Sequence, residues 1–160
     1  MNSELIEAAK AGHIDVVQTL IAQGVGVDVK DNLFGRTALM WAARQGQTAT
    51  VKILLEQGAE ANATDKYGGT TLQAAASLGH TEAVKALLEG GADLNTQDGQ
   101  GWSALMMAGA HGHADTVQVL LEGGADLNAK DEQGWSVLMM ALNRKQTHVV
   151  ELLKQVGASH

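Results

Sequence analysis

Histidines recur in this sequence at positions that invite a metal-site hypothesis. His80 and His113 occupy equivalent places in a repeating pattern, and His111 lies two positions before His113. A zinc ligand atom lies about 2 Å from the ion, whereas packed helices lie about 8–10 Å apart. Equivalent histidines on neighbouring helices therefore share an ion only if their side chains converge. No acidic residue completes a ligand set and the chain has no cysteine, so we expect no metal and no cofactor.

Serines and carboxylates give no better indication of catalysis. Of the five serines, two precede predicted helices, two lie near the termini, and Ser77 has no recognisable His/Asp partner. Asp65, Asp98 and Asp131 recur at equal intervals because a turn recurs, so they are turn residues rather than a general acid/base pair. No glycine-rich phosphate-binding motif is present. We expect no enzymatic activity.

The composition favours a soluble globular protein. The 160 residues are 45% hydrophobic, and 18 acidic residues against 11 Lys and Arg give a formal charge of −7. This charge argues against binding nucleic acid or an anionic membrane surface by bulk electrostatics. No apolar stretch approaches the roughly 20 residues of a membrane span, and no signal-peptide pattern is visible at the start. We expect a cytoplasmic monomer.

A period of about 33 residues organises the chain. The segment Leu87–Asn95 returns letter for letter as Leu120–Asn128. The first interval between equivalent glycines, Gly24 to Gly58, is longer by one than the next interval, and the extra residue falls within Asp31–Gly35. Insertions are tolerated best at exposed turn tips. We therefore expect this turn to be exposed.

Each period has the pattern of two short helices. From the second unit on, the first helix follows a hydroxyl residue that can cap its start. The second helix has an acid in its first turn where Asp15, Glu82 and Asp115 stand, which favours the positive helix end. The predicted caps are Thr37, Thr70, Ser103 and Ser136. Five aromatic residues cannot build a core around large rings. Small and medium side chains must pack between stacked neighbouring units instead.

The combined pattern resembles the ankyrin repeat. Asp-x-x-Gly-x-Thr-x-Leu is followed in phase by Ala-Ala, Gly-His, Val-x-x-Leu-Leu and Gly-Ala-Asp-x-Asn over nearly the whole chain. The resemblance implies an all-α solenoid of stacked helix-turn-helix units with short β-hairpin connections. We expect one domain, 1–160, with capping units at both ends and units near 3–30, 31–64, 65–97, 98–130 and 131–160. The family's proline at the first helical position is missing throughout, and Lys145 replaces an inter-helix glycine.

The resemblance also implies a protein-binding module with an unidentified protein partner. The family grips other proteins on a concave surface made of hairpin tips and first helices. Mapped by position, this surface holds all five aromatic residues and all three arginines, and Trp, Tyr and Arg are enriched at binding hot spots. The predicted partner-binding residues are Phe34, Arg36, Trp41, Arg44, Tyr67, Leu78, Trp102, Met107, His111, Trp135, Met140 and Arg144. A partner with apolar anchors and some carboxylates would suit them.

Several of these residues have an alternative role. Trp102 and Trp135 follow hairpin glycines, where large side chains in this family often pack along the neighbouring hairpins. Trp41 lies mid-helix and is a candidate for partial burial between units. Met107 and Met140 are expected to form an adaptable contact surface, whereas the methionine preceding each of them is expected to fill the core.

A second hypothesis assigns the whole chain a structural or assembly role. The stack would act as a subunit through its ends or its second-helix face, with Val149, Val150 and Val156 as exposed candidates in the last unit. Further polar residues recur in phase. His13, His80 and His113 resemble the family's inter-helix turn histidines, and the side chains of Asn62, Asn95 and Asn128 are expected to hold the hairpin by bonding its backbone.

Overall fold

The computed structural model describes residues 1–158; Ser159 and His160, at the end of the predicted last unit, lie outside this range. The described residues form ten α-helices in five pairs. The first helices of the pairs are α1 (Asn2–Ala11), α3 (Ala38–Arg44), α5 (Thr71–Ser77), α7 (Ala104–Ala110) and α9 (Val137–Asn143). The second helices are α2 (Ile14–Ala22), α4 (Thr48–Glu56), α6 (Thr81–Glu89), α8 (Ala114–Glu122) and α10 (Thr147–Gln155).

The helices stack in two parallel rows. Each first helix packs against the first helices of the neighbouring pairs, and each second helix packs against the neighbouring second helices. This arrangement confirms the predicted all-α solenoid. Within residues 1–158 no helix is long and apolar enough to cross a bilayer.

Short turns connect the pairs, and the predicted hairpins are reduced to single bridges. Isolated antiparallel bridges join Lys30 to Thr37, Thr64 to Thr70 and Lys130 to Ser136. Backbone hydrogen bonds between the tips of neighbouring turns place these tips side by side. They run from the Lys66 N–H to the Phe34 carbonyl (2.9 Å), from Gly99 to Tyr67 (3.2 Å) and from Glu132 to Gln100 (3.1 Å).

Hydroxyl caps begin the first helices α3, α5, α7 and α9, as predicted. The capping oxygen accepts the N–H three residues further on in each case. At Thr70 the side chain of Gln73 also accepts the N–H of the cap residue, which completes the expected capping box. Met106 and Met139 take this place after the two serine caps, and their sulfur atoms receive the cap N–H at 3.5 Å.

The core consists of aliphatic and alanine side chains. Leu39, Leu72, Leu105 and Leu138 are buried at equivalent positions of the first helices. The interface between units requires small residues, because a Cβ atom added at Gly109 would lie 2.5 Å from Cγ2 of Val137. Ala42, Ala75 and Ala108 are also buried, which agrees with the expectation that small and medium side chains pack between units.

Side chains from the inter-helix turns connect successive units. The His80 Nε2 atom lies 3.0 Å from the Arg44 carbonyl oxygen, and His113 makes the same contact with Ser77 at 2.9 Å. A carbonyl oxygen only accepts, so each ring donates this hydrogen bond through an Nε2–H group. Glutamine takes this role in the second and fifth units, where Gln47 donates to the Lys10 carbonyl and Gln146 to the Ala110 carbonyl, each at 3.2 Å. We call these four contacts the turn ladder.

Two of the repeated asparagines, Asn62 and Asn95, act between units, which corrects our expectation that they hold the turn of their own unit. The Asn62 Oδ1 atom accepts the Asp93 N–H at 2.6 Å, and Asn95 accepts the Asp126 N–H at 2.8 Å. Asn62 further donates to the Gly91 carbonyl at 3.2 Å. Both therefore fix the loop that follows the second helix of the next unit.

The last unit departs from the others at two positions. Lys145 stands where Gly46, Gly79 and Gly112 occur in the preceding units, and it has φ 57°, the one positive φ of a non-glycine residue among residues 1–158. The backbone at Lys145 thus keeps the conformation of the other turns despite the side chain. The second position is Leu142, which is equivalent to Gly109 and is 38% exposed.

The apolar end proposed for an assembly role is smaller than expected. Val149 is buried, which corrects its assignment as an exposed residue, because its side chain belongs to the core between α8, α9 and α10. Val150 is partly buried against the same core. Val156 is exposed at 48%.

Candidate interaction surface

Trp41 is the centre of a group of contacting side chains at the N-terminal end of the surface formed by the first helices and the turns between pairs, which is the surface that we expected to be concave. Its indole N–H donates a 2.7 Å hydrogen bond to Oδ2 of Asp31. The Lys10 ammonium nitrogen lies 4.2 Å from the centre of its ring. The ring of Phe34 meets it edge to face, with centroids 6.1 Å apart. Trp41 is half-buried, so these neighbours from α1 and the first hairpin fix its orientation.

Two arginines complete this group. The Arg36 guanidinium carbon is 4.6 Å from the Phe34 ring centre and 5.1 Å from that of Trp41, within the range of a cation–π interaction. Arg36 also donates through Nε to Oδ2 of Asp65 at 3.3 Å. The Arg44 guanidinium carbon lies 5.8 Å from the Trp41 ring centre. We call Lys10, Phe34, Arg36, Trp41 and Arg44 the Trp41 cluster.

Asp31 holds both the turn and the indole. Its Oδ1 atom accepts the N–H groups of Phe34 (2.6 Å) and Gly35 (3.2 Å). Burial acts to raise the pKa of Asp31, but hydrogen bonds from the Phe34 N–H, the Trp41 indole and further backbone N–H groups outweigh it. The pKa of Asp31 therefore lies below its ordinary value, and the carboxylate stays charged at neutral pH.

Arg44 faces a pocket of about 240 Å³ on the concave side. The pocket lies between α3, α5 and α7, and its lining includes Arg36, Asp65, Tyr67 and Met107. Burial first, and then the neighbouring charge of Arg36, lower the pKa of Arg44, while Asp65 partly offsets this. Within the part of the chain that the structure describes, its guanidinium has no salt bridge and no hydrogen-bond acceptor.

An apolar groove of about 480 Å³ opens on the other side of Trp41, between α1 and the first hairpin. Ile6 forms part of its floor, and Leu33, Phe34 and Trp41 line its walls. Leu33 is exposed in the turn that carries the extra residue, so the expectation that this turn is exposed is confirmed. Side chains of Lys10 and Glu7 at the margin pair with each other at 2.7 Å.

The C-terminal end of the face carries two tryptophans with fewer contacts. Trp102 is half-buried, and the Arg144 guanidinium carbon lies 5.8 Å from its ring centre. Trp135 is exposed at 36%, and its backbone N–H donates to Asp131 at 2.8 Å. Trp102, Trp135 and Arg144 line a shallow pocket of about 300 Å³.

The remaining predicted residues lie between and beside these two ends. Tyr67 (66% exposed), Leu78 and His111 are exposed, and Met107 is half-buried. Met140 corrects our expectation of an adaptable contact residue, because it is only 4% exposed and belongs to the core. It forms the floor of the pocket lined by the two C-terminal tryptophans.

The histidines that lie within residues 1–158 form no ligand set. The rings of His111 and His113 stack with centroids 6.2 Å apart, and the His111 Nδ1 atom lies 2.8 Å from the Met107 carbonyl oxygen. Among residues 1–158 no group of three or more His, Asp or Glu side chains is arranged to hold a metal ion.

Sequence reasoning missed the second role of two turn aspartates. Asp65 was assigned to its turn alone and Asp31 only to the stretch that carries the extra residue, yet the Oδ2 atom of each accepts a hydrogen bond from a side chain of the Trp41 cluster. The available signal was that Trp41 and Arg36 lie in the same unit, 31–64, as Asp31. The groove between α1 and the first hairpin had no signal in the repeat pattern, because it depends on how the first unit meets the second.

Comparison with known proteins places this architecture in a family. A family model described as ankyrin repeats (3 copies) matches residues 5–98 and 91–160. The chain is 43% identical over 56 residues, 35% of its length, to ankyrin repeat and SAM domain-containing protein 6 of Mus musculus. It is 46% identical over 55 residues, 34% of its length, to the probable E3 ubiquitin-protein ligase XBOS33 of Oryza sativa subsp. japonica.

A third relative is the mitochondrial disaggregase of Homo sapiens, with 38% identity over 66 residues, 41% of the chain. The matched segments cover 6%, 10% and 9% of these three proteins, so the chain corresponds to a small part of each. The family match spans nearly the whole sequence and agrees with the five stacked helix pairs. The chain belongs to the ankyrin-repeat family.

Proposed function

We propose that this chain is a non-catalytic protein-interaction module that binds a partner protein or peptide on its concave face. Ankyrin repeats are in general protein–protein interaction modules. The observation that carries the proposal is the Trp41 cluster, in which two aromatic rings and three cationic side chains contact one another on a surface open to solvent. Clustered aromatic and arginine side chains are typical of binding hot spots.

The stacked architecture favours binding with little rearrangement. The turn ladder and the asparagine contacts fix neighbouring units relative to each other, so the anchors on the face keep a constant spacing. A surface organised in this way loses little conformational entropy when a partner binds. The relatives named as a ligase and a disaggregase match only over the repeat segment, and we assign neither activity to this chain.

A paired capture experiment tests the proposal. The concave-face variant replaces Tyr67, Trp135 and Arg144 with Ala and Arg44 with Gln, positions that are exposed or only partly buried. The matched control replaces exposed residues on and next to the second helices with Ala, namely Val16, Lys52, Lys85 and Val156. Both variants lose two positive charges and two apolar side chains, so a difference in the proteins that they capture shows which surface binds the partner.

We expect a protein captured by the native chain and by the control to be absent from the concave-face variant. Equal capture by all three baits would contradict the proposal. Loss confined to the control would favour the assembly role through the second-helix face, for which exposed Val16 and Val156 are the specific features. Light scattering over a range of concentrations then shows whether the chain itself forms oligomers.

A further inference from the structure

The Arg44 guanidinium is a positive charge with no bonded anionic partner among the described residues. It offers five N–H donors, and none finds an acceptor among the residues that the structure describes. The group is half-buried in the pocket between α3, α5 and α7. Its backbone carbonyl is held by His80 through the turn ladder, so the end of α3 from which the side chain extends is fixed.

The charges around this pocket select a singly charged anion. Arg36 is already bonded to Asp65, and Asp98, a further member of the lining, uses its Oδ1 for the N–H groups of its own turn. Two arginines therefore face two aspartates, and Arg44 is the cation left without a bonded partner. A carboxylate matches one guanidinium in charge and geometry, whereas a doubly charged phosphate would be repelled by Asp65 and Asp98.

The groove on the other side of Trp41 requires an uncharged occupant. The ionic groups at its margin already have partners: Lys10 pairs with Glu7, Asp31 accepts the Trp41 indole N–H, and Lys30 donates to the Thr64 carbonyl. The rest of the lining carries no charge and consists of Ile6, Leu33, the two rings and the polar residues Asn2, Ser3 and Asn32. A large aliphatic side chain fits these walls without displacing a hydrogen bond.

The two pockets lie close together. Trp41 lines the groove, and the Arg44 guanidinium carbon is 5.8 Å from the centre of the Trp41 ring. In an extended peptide each residue advances about 3.3 Å, and alternate side chains point the same way. One peptide segment can therefore reach both pockets with side chains one or two positions apart.

We propose that the Trp41 cluster recognises a linear acidic peptide segment of a partner protein. A Glu or Asp carboxylate binds Arg44, and a Leu, Ile or Met side chain one or two positions away occupies the groove between α1 and the first hairpin. This inference rests on the proposed function and narrows it to one partner chemistry at one end of the face.

The probe is a phage-displayed library of random 12-residue peptides, selected on the full native chain. We expect the selected peptides to carry an acidic residue within two positions of a large aliphatic residue. One synthetic peptide from the selection is then titrated into the native chain and into the Arg44→Gln, Leu33→Ala and Lys52→Gln variants. Lys52 is exposed on α4, so Lys52→Gln removes the same charge as Arg44→Gln outside both pockets.

We expect Arg44→Gln to weaken binding about tenfold or more, because a charge-assisted bidentate contact is lost. Lys52→Gln should stay within about twofold, because screening reduces distant surface charge effects. Replacing the peptide's acidic residue with the corresponding amide should cause little further loss of affinity for the Arg44→Gln variant, since both changes remove the same contact. Leu33→Ala should also weaken binding, but the affinity lost on replacing the acidic residue should be the same in this variant as in the native chain.

Trp indole N–H resonances in a ¹⁵N-labelled chain report the location independently. We expect the Trp41 resonance to shift on addition of the peptide and the Trp135 resonance to stay in place. The proposal is overturned if no peptide is selected, if the selected peptides lack the acidic residue, or if Arg44→Gln binds them as tightly as the native chain. The proposed function would survive each of these outcomes as long as the capture experiment shows loss of a partner from the concave-face variant.

Discussion

Trp41 and Trp135 lie at opposite ends of the same face, and their surroundings differ. Trp41 is held by a hydrogen bond from its indole and by rings and cations from α1 and the first hairpin. Trp135 is 36% exposed, and its indole N–H has no acceptor among residues 1–158. The N-terminal end therefore presents side chains in one arrangement, whereas the C-terminal end presents a side chain free to adapt.

This difference separates two ways in which a residue can serve binding. A fixed side chain contributes affinity with little loss of rotamer freedom, but its replacement also disturbs the fold that fixes it. An exposed one loses more freedom on binding, and its replacement leaves the fold intact. A loss of binding on mutation therefore has a direct interpretation at Trp135, whereas at Trp41 it must be corrected for stability.

The largest expected effect is the loss of stability when Trp41 is replaced, and it tests the contrast between Trp41 and Trp135. Trp41→Ala should lower the free energy of unfolding by about 2–3 kcal/mol, because packing and cation–π contacts of a half-buried ring are lost. Trp135→Ala should lower it by less than about 1 kcal/mol. Urea unfolding at pH 7, followed by circular dichroism, measures both values. Equal losses at the two positions would show that the two ends are equally ordered.

Two equivalent turn aspartates, Asp31 and Asp131, allow the contribution of the Trp41 indole hydrogen bond to be measured. Asp31→Asn should destabilise by about 1–2 kcal/mol more than Asp131→Asn. Both side chains accept two backbone N–H groups of their own turn, but Asp31 also accepts the Trp41 indole, and an amide NH₂ cannot. The difference should vanish in a Trp41→Phe background, which lacks the indole donor. If it persisted there, the indole hydrogen bond would not be its cause.

Relieving the backbone at Lys145 should stabilise the C-terminal end. Lys145→Gly should raise the free energy of unfolding by about 0.5–1 kcal/mol, since glycine adopts positive φ without a Cβ penalty and this gain exceeds its cost in the unfolded chain. Lys145→Ala removes the charge but keeps the Cβ atom, so it should give no gain. Thermal unfolding of the two variants distinguishes strain from charge. Equal stabilisation by both would assign the effect to the charge.

The smallest expected effect is a titration seen at one tryptophan. The pKa of Asp31 is lowered, so this group contributes stability that is present above its ordinary value of 3.8 and lost as pH falls through the lower folded value. The ¹⁵N–¹H resonance of the Trp41 indole should therefore stay constant down to about pH 4 and move only below it. The Trp135 indole should not follow this titration. A midpoint at Trp41 above pH 4 would contradict the assignment.

Local features of the fold were predictable from the sequence, because each depends on residues close together in the chain. The cap of Thr70 and its box with Gln73 involve four consecutive residues, and the sequence period then repeats such units. Contacts across units were less accessible. The asparagines were recognised as structural, but the atoms they bind lie 29 and 31 residues away.

The two methionine pairs show why the face was harder to predict than the fold. In α7 Met106 is buried and Met107 half-buried, as expected, whereas in α9 Met139 is half-buried and Met140 buried. Leu-Met-Met-Ala occurs at both places, but among the described residues no further helix pair packs beyond α9 and α10. Met139 therefore lacks a following unit of the kind that packs against α7 beside Met106, and periodicity does not contain this difference.

The turn ladder limits how this array can be lengthened. At each of the first four units the turn side chain of the next unit lies against a glycine, and an added Cβ would come within 2.3–2.7 Å of that side chain. Lys145 carries a Cβ at the fifth such place, and Leu142 adds a bulky group where Gly109 leaves room. A protein engineer could copy an inner unit and insert it between existing ones, whereas tiling another copy onto α9 and α10 in the same register would first require glycine at 145 and a small residue at 142. Lys145 and Leu142 therefore disfavour the packing of a further identical unit in this register.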